Sequence, residues 1–148
     1  MSTLLENKKA YFDYEILEKF EAGLQLLGWE VKSLKSRRGS LPGGRVIIRG
    51  NEAFLVGLDI PPYQPNNQPD NYEEQRTIKL LITKKEINYL VGKSKEKRLT
   101  IVPLKLYTKA GKVKLEIALC RGKKKFEKRE KIKKRETDRT IERLMKRG

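Results

Sequence analysis

Apolar and polar residues alternate along the chain from Asp13 to Leu26. Tyr14, Ile16, Phe20, Ala22, Leu24 and Leu26 fall on one side, and Asp13, Glu15, Lys19, Glu21 and Gln25 on the other. A period of two over this length predicts a long strand with one buried face. Leu27, Val31 and Leu34 then recur at i, i+4 and i+7, the spacing of a short helix. The run GSLPGG at 39–44 has turn chemistry. Arg45–Arg49 and Ala53–Ile60 flank Gly50-Asn51, which predicts a hairpin whose second strand presents Phe54, Val56, Leu58 and Ile60 on a shared face.

Residues 61–75 are proline-rich without an apolar period and read as a surface loop, followed by a strand over Thr77–Ile82. Thr83 and Glu86 form a capping box ahead of Ile87, Leu90 and Val91 at helical spacing, with Gly92 as the stop. Leu99–Tyr107 and Val113–Cys120 make a second hairpin around Lys109-Ala110-Gly111. In it Val102, Leu104 and Leu106 share one face, and Leu115, Ile117 and Leu119 another. Antiparallel strands with two or three short helices predict a mainly β domain over residues 1–120, a small closed or partly closed barrel. Closure would remove the edges that such strands otherwise expose. The pattern does not separate an oligonucleotide-binding barrel from other small barrels.

After Cys120 the alternation stops, and residues 121–148 form a separate basic tail. Glu127–Lys131, Glu130–Lys134 and Glu142–Lys146 are i, i+4 pairs, each adding roughly 0.2–0.5 kcal/mol to a helix. Without a continuous apolar stripe this does not hold an isolated helix. The tail is therefore expected to be flexible when free and to become helical against a partner.

Charge gives this division a functional meaning. The net charge is +16, and the tail carries 14 Lys and Arg against 5 acidic residues, a net of +9. A polyanionic partner is expected, nucleic acid or an anionic membrane surface. No apolar stretch is long enough to cross a bilayer, and MSTLLENKKAYFDY lacks a signal-peptide core, so no membrane partner and a cytoplasmic location are expected. The chain has no histidine and one cysteine, Cys120. That composition excludes histidine-based triads, histidine-containing zinc sites and four-thiolate sites, and permits no internal disulfide. Cys120 follows an alternating apolar run and reads as a buried thiol. Glu21, Glu30 and Glu116 are conceivable acid–base residues, but nothing in the sequence converges on them. We therefore expect no enzyme and no cofactor.

What remains is basic and aromatic. Asn7, Lys8, Lys9, Tyr11 and Tyr14 gather cations and rings at the start of the first strand, where they suit RNA backbone and base stacking. A solvated edge with Tyr14 in the core explains them equally well. Arg45, Arg49, Lys105 and Lys114 are outward strand cations that suit phosphate.

The run NKKAYFDYEILEKFEAGLQLLGWEVKSL (7–34) resembles the opening of the small protein B (SmpB) family of bacterial tmRNA-binding, or SsrA-binding, proteins. GNEAFLVGLDIPPY (50–63), RTIKLL (76–81), VPLKLY (102–107) and VKLEIALCRGKKKFEKRE (113–130) continue the resemblance in order. It implies an OB-like barrel that binds the tRNA-like domain of tmRNA. With elongation factor Tu, such a protein accompanies tmRNA to stalled ribosomes in trans-translation, as a monomer. Its tail would enter the decoding centre, against 16S rRNA, and the empty mRNA channel. The RNA-binding positions it implies are Asn7, Glu21 and Leu81, with Lys8, Lys9, Tyr14 and Lys32 beside them. The tail positions are Gly122, Lys123, Lys124 and Lys125 as a hinge, then Phe126, Glu127, Lys128 and Arg129. Phe126 stands where the family often has His or Tyr, and Glu127 where it often has Asp. The loop before Arg76 reads NYEEQ where the family usually has Asp-Pro. Ile78 stands where the family usually has Arg, which is expected to remove a cation from the RNA face.

Overall fold

The computed structural model describes residues 2–62, 75–96 and 98–123. Among these, the elements in chain order are β1 (Ser2–Glu6), α1 (Lys8–Asp13), β2 (Tyr14–Leu24), α2 (Gly28–Lys35) and β3 (Arg45–Arg49). They continue with β4 (Glu52–Val56), β5 (Ile78–Leu81), α3 (Lys84–Ser94), β6 (Leu99–Lys109) and β7 (Lys112–Gly122). The strands pair antiparallel in the order β1-β6-β7-β2-β5-β4-β3. The chain is thus mainly antiparallel sheet with several short helices. β3, at one end of the strand order, packs beside β6 near the other, so the sheet curls around its core.

Turn chemistry sets both expected hairpins. Gly50 and Asn51 have φ of 56° and 60° between the paired Arg49 and Glu52. Ala110 and Gly111 have φ of 51° and 77° between the paired Lys109 and Lys112. Two successive positive-φ residues make a turn whose twist matches that of the flanking strands.

The main core holds Leu115, Ile117 and Leu119 of β7 together, as the alternation predicts. It also receives Ala22, Leu34, Leu55, Ile78, Leu90 and Leu106. A second, smaller cluster lies on the other face of the sheet, where Ala10 of α1 meets Val102, Leu104, Ala118 and Cys120, with Tyr14 and Ile16 packed on it. The Cys120 thiol is buried, donates to the Thr100 carbonyl at 3.5 Å, and is pushed up to about 12 by burial, as suits an inert core thiol.

Several expected faces are corrected by irregularities in the ladder. A bulge between Ile16 and Glu18 shifts the register of β2, so Tyr14 and Ile16 join the second cluster while Phe20, Ala22 and Leu24 meet the main core. Another irregularity, between Pro103 and Lys105, separates Val102 and Leu104 from Leu106 in the same way. In β4 the buried residues are Ala53 and Leu55, and Phe54 and Val56 are only half-buried. Gly57, at φ 82°, then resets the chain so that Leu58 and Ile60 are buried. An added Cβ there would lie 2.9 Å from the Gly43 carbonyl oxygen, so glycine is needed on both counts.

Ile78 is also corrected: it is fully buried in the core opposite Leu55, so its presence takes no cation from an outer RNA face. The segment from Lys8 to Asp13 is a helix and not the beginning of a strand, and β1 precedes it. Six residues are too few to display a helical period, which is why α1 was not legible. Arg121 and Gly122, expected in the tail, are the last residues of β7, in register with Glu15 and Tyr14. The expectations for Lys124, Lys125, Phe126, Glu127, Lys128 and Arg129, and for residues 130–148, lie outside the described residues.

Candidate nucleic-acid interface

α1 covers only part of the outer face of β2, β7 and β6. Beyond it, Lys19, Glu21 and Gly23 of β2 lie in register with Ala118, Glu116 and Lys114 of β7. Glu116 and Lys114 in turn lie opposite Lys105 and Tyr107 of β6, and Gly23 lies opposite Leu81 of β5. Alternation puts these residues on the face away from the main core. The result is one surface on which cations, rings and two carboxylates interleave.

Glu21 is its best-defined acceptor. The Tyr107 hydroxyl donates to Oε2, and Lys109 Nζ lies 3.3 Å from Oε2 and 3.5 Å from Oε1. The Tyr107 hydrogen bond, with Lys109 and then Lys114, holds the Glu21 carboxyl below its ordinary value, against the smaller opposing effect of desolvation. Burial, and then the bond to Glu21, push the Tyr107 hydroxyl well above its ordinary value, so it remains a donor. Lys105 Nζ stands 5.6 Å from the Tyr107 ring centroid, and Lys19 Nζ 5.7 Å from that of Tyr11. Both lysines approach Glu116, at 4.0 and 3.7 Å.

Leu81 is 49 % exposed although apolar. It lies over Gly23, where an added Cβ would be 3.2 Å from its own Cβ. The missing side chain leaves an apolar shelf beside Lys114. Gly23, Leu81, Val31, Gly111 and Lys114 line a groove of about 330 Å³. Lys35 of α2 donates to the Gly111 carbonyl at its rim, at 2.9 Å. Lys32 lies one helical turn earlier on α2 and is exposed. The structure thus brings Glu21 and Leu81 onto one surface, with Lys32 exposed on α2 next to Val31 of the groove.

Asn7, Lys8, Lys9 and Tyr14 form a second group, about 20 Å away along β2 by strand rise. Asn7 is 6 % exposed; its side-chain amide donates to the Pro103 carbonyl at 2.9 Å and its backbone N–H to Leu104 at 2.7 Å. These bonds pin the start of α1 to β6. Lys8 and Lys9 are exposed on α1, and Tyr14 is half-buried. Asn7, Lys9 and Tyr14 line a groove of about 370 Å³ with Arg45. The described residues end beside this group: Gly122 lies opposite Tyr14, and Lys123 donates to the carbonyls of Asp13 and Tyr11, at 2.9 and 3.1 Å.

Tyr107, Lys109 and Gly23 were not identified from the sequence, although Lys105-Leu106-Tyr107-Thr108-Lys109 alternates with its polar side outward. Glu30 takes no part in the surface. It is buried and ion-paired with Arg76, and its Oε1 accepts the Leu27 N–H at the start of α2.

No group of histidine, cysteine and carboxylate residues among the described residues could hold a metal ion. No helix among them is long and apolar enough to cross a membrane. The fold and surface define a small antiparallel β protein with a basic, ring-bearing face of the kind that engages nucleic acid.

The comparisons identify which kind. The family model described as "SmpB protein" matches residues 4–147. The SsrA-binding protein of Syntrophobacter fumaroxidans is 51 % identical over 144 residues, covering 97 % of this chain and 89 % of its own. That of Thermosipho africanus is 47 % identical over 149 residues, covering 100 % and 99 %. A solved chain described as "tmRNA-SmpB: a journey to the center of the bacterial ribosome" superposes with a TM-score of 0.67 at 43 % identity, covering 82 % of this chain and 85 % of that one. The chain belongs to the SmpB protein family.

Proposed function

We propose that this chain is a non-catalytic, tmRNA-binding adaptor of trans-translation. The observation that carries the reading is the exposed face around Glu21 and Leu81, in a chain of the SmpB family. A fixed carboxylate accepts from base amino groups or ribose hydroxyls. The Leu81 shelf takes an unstacked base, and Lys109, Lys114 and Lys32 serve phosphate. The curled sheet is read as a closed OB-like barrel, completed by the approach of β3 to β6.

In this proposal the barrel, residues 1–120, binds the tRNA-like domain as a monomer, and Asn7, Lys8, Lys9 and Tyr14 extend the contact. With elongation factor Tu the complex reaches stalled ribosomes in the cytoplasm. Residues 121–148 are the second functional part, entering the decoding centre and the empty mRNA channel, whose walls are phosphate. Gly122, Lys123, Lys124 and Lys125 form the hinge. Phe126, Glu127, Lys128 and Arg129 meet 16S rRNA, with Phe126 as the stacking group.

The test is truncation after Gly122, with tmRNA binding and peptide tagging on a truncated message measured in parallel. Binding stays near the full-chain value and falls with salt, while tagging is lost. Normal tagging by the truncated chain refutes the division of labour. Equal affinity for structured tRNA-like RNA and a random oligonucleotide would show a general single-strand binder instead.

A further inference from the structure

We infer that Tyr107 is a positioning residue for RNA binding, whose hydroxyl aims the Glu21 carboxylate outward as an acceptor for RNA donors. The inference rests on the proposed Glu21 site and goes beyond it by naming the residue that sets its geometry.

Tyr107 is 5 % exposed, so its ring is fixed by packing and itself offers RNA little surface. Its hydroxyl, though largely buried, reaches Glu21 Oε2 across the β6–β7–β2 ladder. A carboxylate on a strand edge has two soft side-chain torsions beyond Cβ, and hydrogen bonding to one oxygen removes most of that freedom. Oε1 is then left with only the long 3.5 Å approach of Lys109, and retains capacity for an incoming donor. The other charged groups on this face include Lys112, opposite Lys109, with Lys114 and Glu116 on β7, Lys105 on β6 and Lys19 on β2. Glu116 lies 3.7 Å from Lys19 and 4.0 Å from Lys105, and the described hydrogen bonds of the Tyr107 hydroxyl and of Lys109 Nζ go to Glu21. Without the tyrosine hydroxyl, Lys109 is the nearest donor, and it would swing the carboxylate toward itself and mask it.

The experiment compares wild type, Tyr107→Phe, Glu21→Ala and the double variant, using a tRNA-like tmRNA fragment as the probe. Tyr107→Phe keeps the packed ring, and its thermal transition should remain cooperative. Its affinity should fall about ten- to a hundredfold, as for loss of one oriented charged hydrogen bond. The same change in the Glu21→Ala background should cost nothing further. The Glu21 carboxyl carbon, followed by NMR without RNA, should titrate at higher pH in Tyr107→Phe than in wild type. Wild-type affinity in Tyr107→Phe beside a weakened Glu21→Ala would overturn the inference and leave the Glu21 site standing. Fully additive losses would also overturn it, because Tyr107 would then act independently. Wild-type affinity in Glu21→Ala would overturn the site itself. If Tyr107→Phe unfolds, the free wild-type chain decides: the Tyr107 hydroxyl proton should be protected from exchange in wild type and exchange faster in Glu21→Ala, and equal exchange in the two refutes the assignment.

Discussion

Arg76→Ala should be among the most damaging single changes outside the core. Glu30 is 1 % exposed, and its carboxylate is held by Arg76 through Nη2 at 2.7 Å and Nε at 3.2 Å. The same guanidinium donates to the Gln25 carbonyl at 3.0 Å and to the Thr77 carbonyl at 3.2 Å. One side chain therefore ties the end of β2, the start of α2 and the start of β5 together. Its loss leaves a buried carboxylate with the Leu27 N–H, at 2.7 Å, as its remaining described hydrogen bond. Breaking a buried ion pair by removing one partner costs about 3–5 kcal/mol. Arg76 is 30 % exposed in its side chain, so water takes over part of its role and the lower end, about 3 kcal/mol, applies. That is a large share of the roughly 5–15 kcal/mol that holds a domain of this size together.

Urea titration of the full chain is the assay, with the midpoint falling and the slope unchanged. Arg76→Lys should lie in between, because an ammonium keeps the charge but not the two-pronged geometry. RNA affinity should fall in parallel with stability, since α2 carries Lys32 and β5 carries Leu81. A loss below about 1 kcal/mol for Arg76→Ala would refute the reasoning, because exposed pairs cost that little.

Asn7→Ala removes the bond to Pro103 and should cost about 1–2 kcal/mol, measured by the same titration. Its effect on RNA binding must therefore be read at a temperature where the variant is fully folded. Gly57→Ala should destabilise by at least about 1 kcal/mol, because both its φ of 82° and the nearby Gly43 carbonyl reject a Cβ; unchanged thermal stability would contradict this. The lowered Glu21 carboxyl sets a pH dependence. A carboxyl depressed on folding contributes stability above its unfolded value and loses it as pH falls through the folded one. The Glu21 contribution to RNA affinity should thus be constant from pH 7 down to the ordinary carboxylate range and decline only below it. Binding isotherms of wild type and Glu21→Gln converging between pH 7 and 6 would rule this out.

Much of the fold was legible because it depends on local chemistry. Gly50-Asn51 and Ala110-Gly111 make tight turns wherever they stand between alternating runs, and Leu115, Ile117 and Leu119 need only period two to share a face. The capping threonine of α3 is equally local, its Oγ1 accepting the Glu86 N–H at 3.3 Å. The charge division at Cys120 is a matter of counting. Family motifs pointed to Glu21 and Leu81 as site residues, but not to what surrounds them.

Tertiary structure decided the rest, because an inserted residue inverts every later side chain of a strand and leaves no mark in composition. The irregularities near Leu17 and Leu104 created a second cluster beneath α1 out of residues that alternation assigned to one core. Antiparallel register across three strands brought Tyr107 to Glu21 from 86 positions away. Arg76 reached Glu30 from 46 positions away. The same register left Leu81 exposed over Gly23 and buried Ile78, three residues before it in the same strand. Periodicity says that neighbouring residues in a strand face apart; only the paired ladder says which of the two faces meets the core.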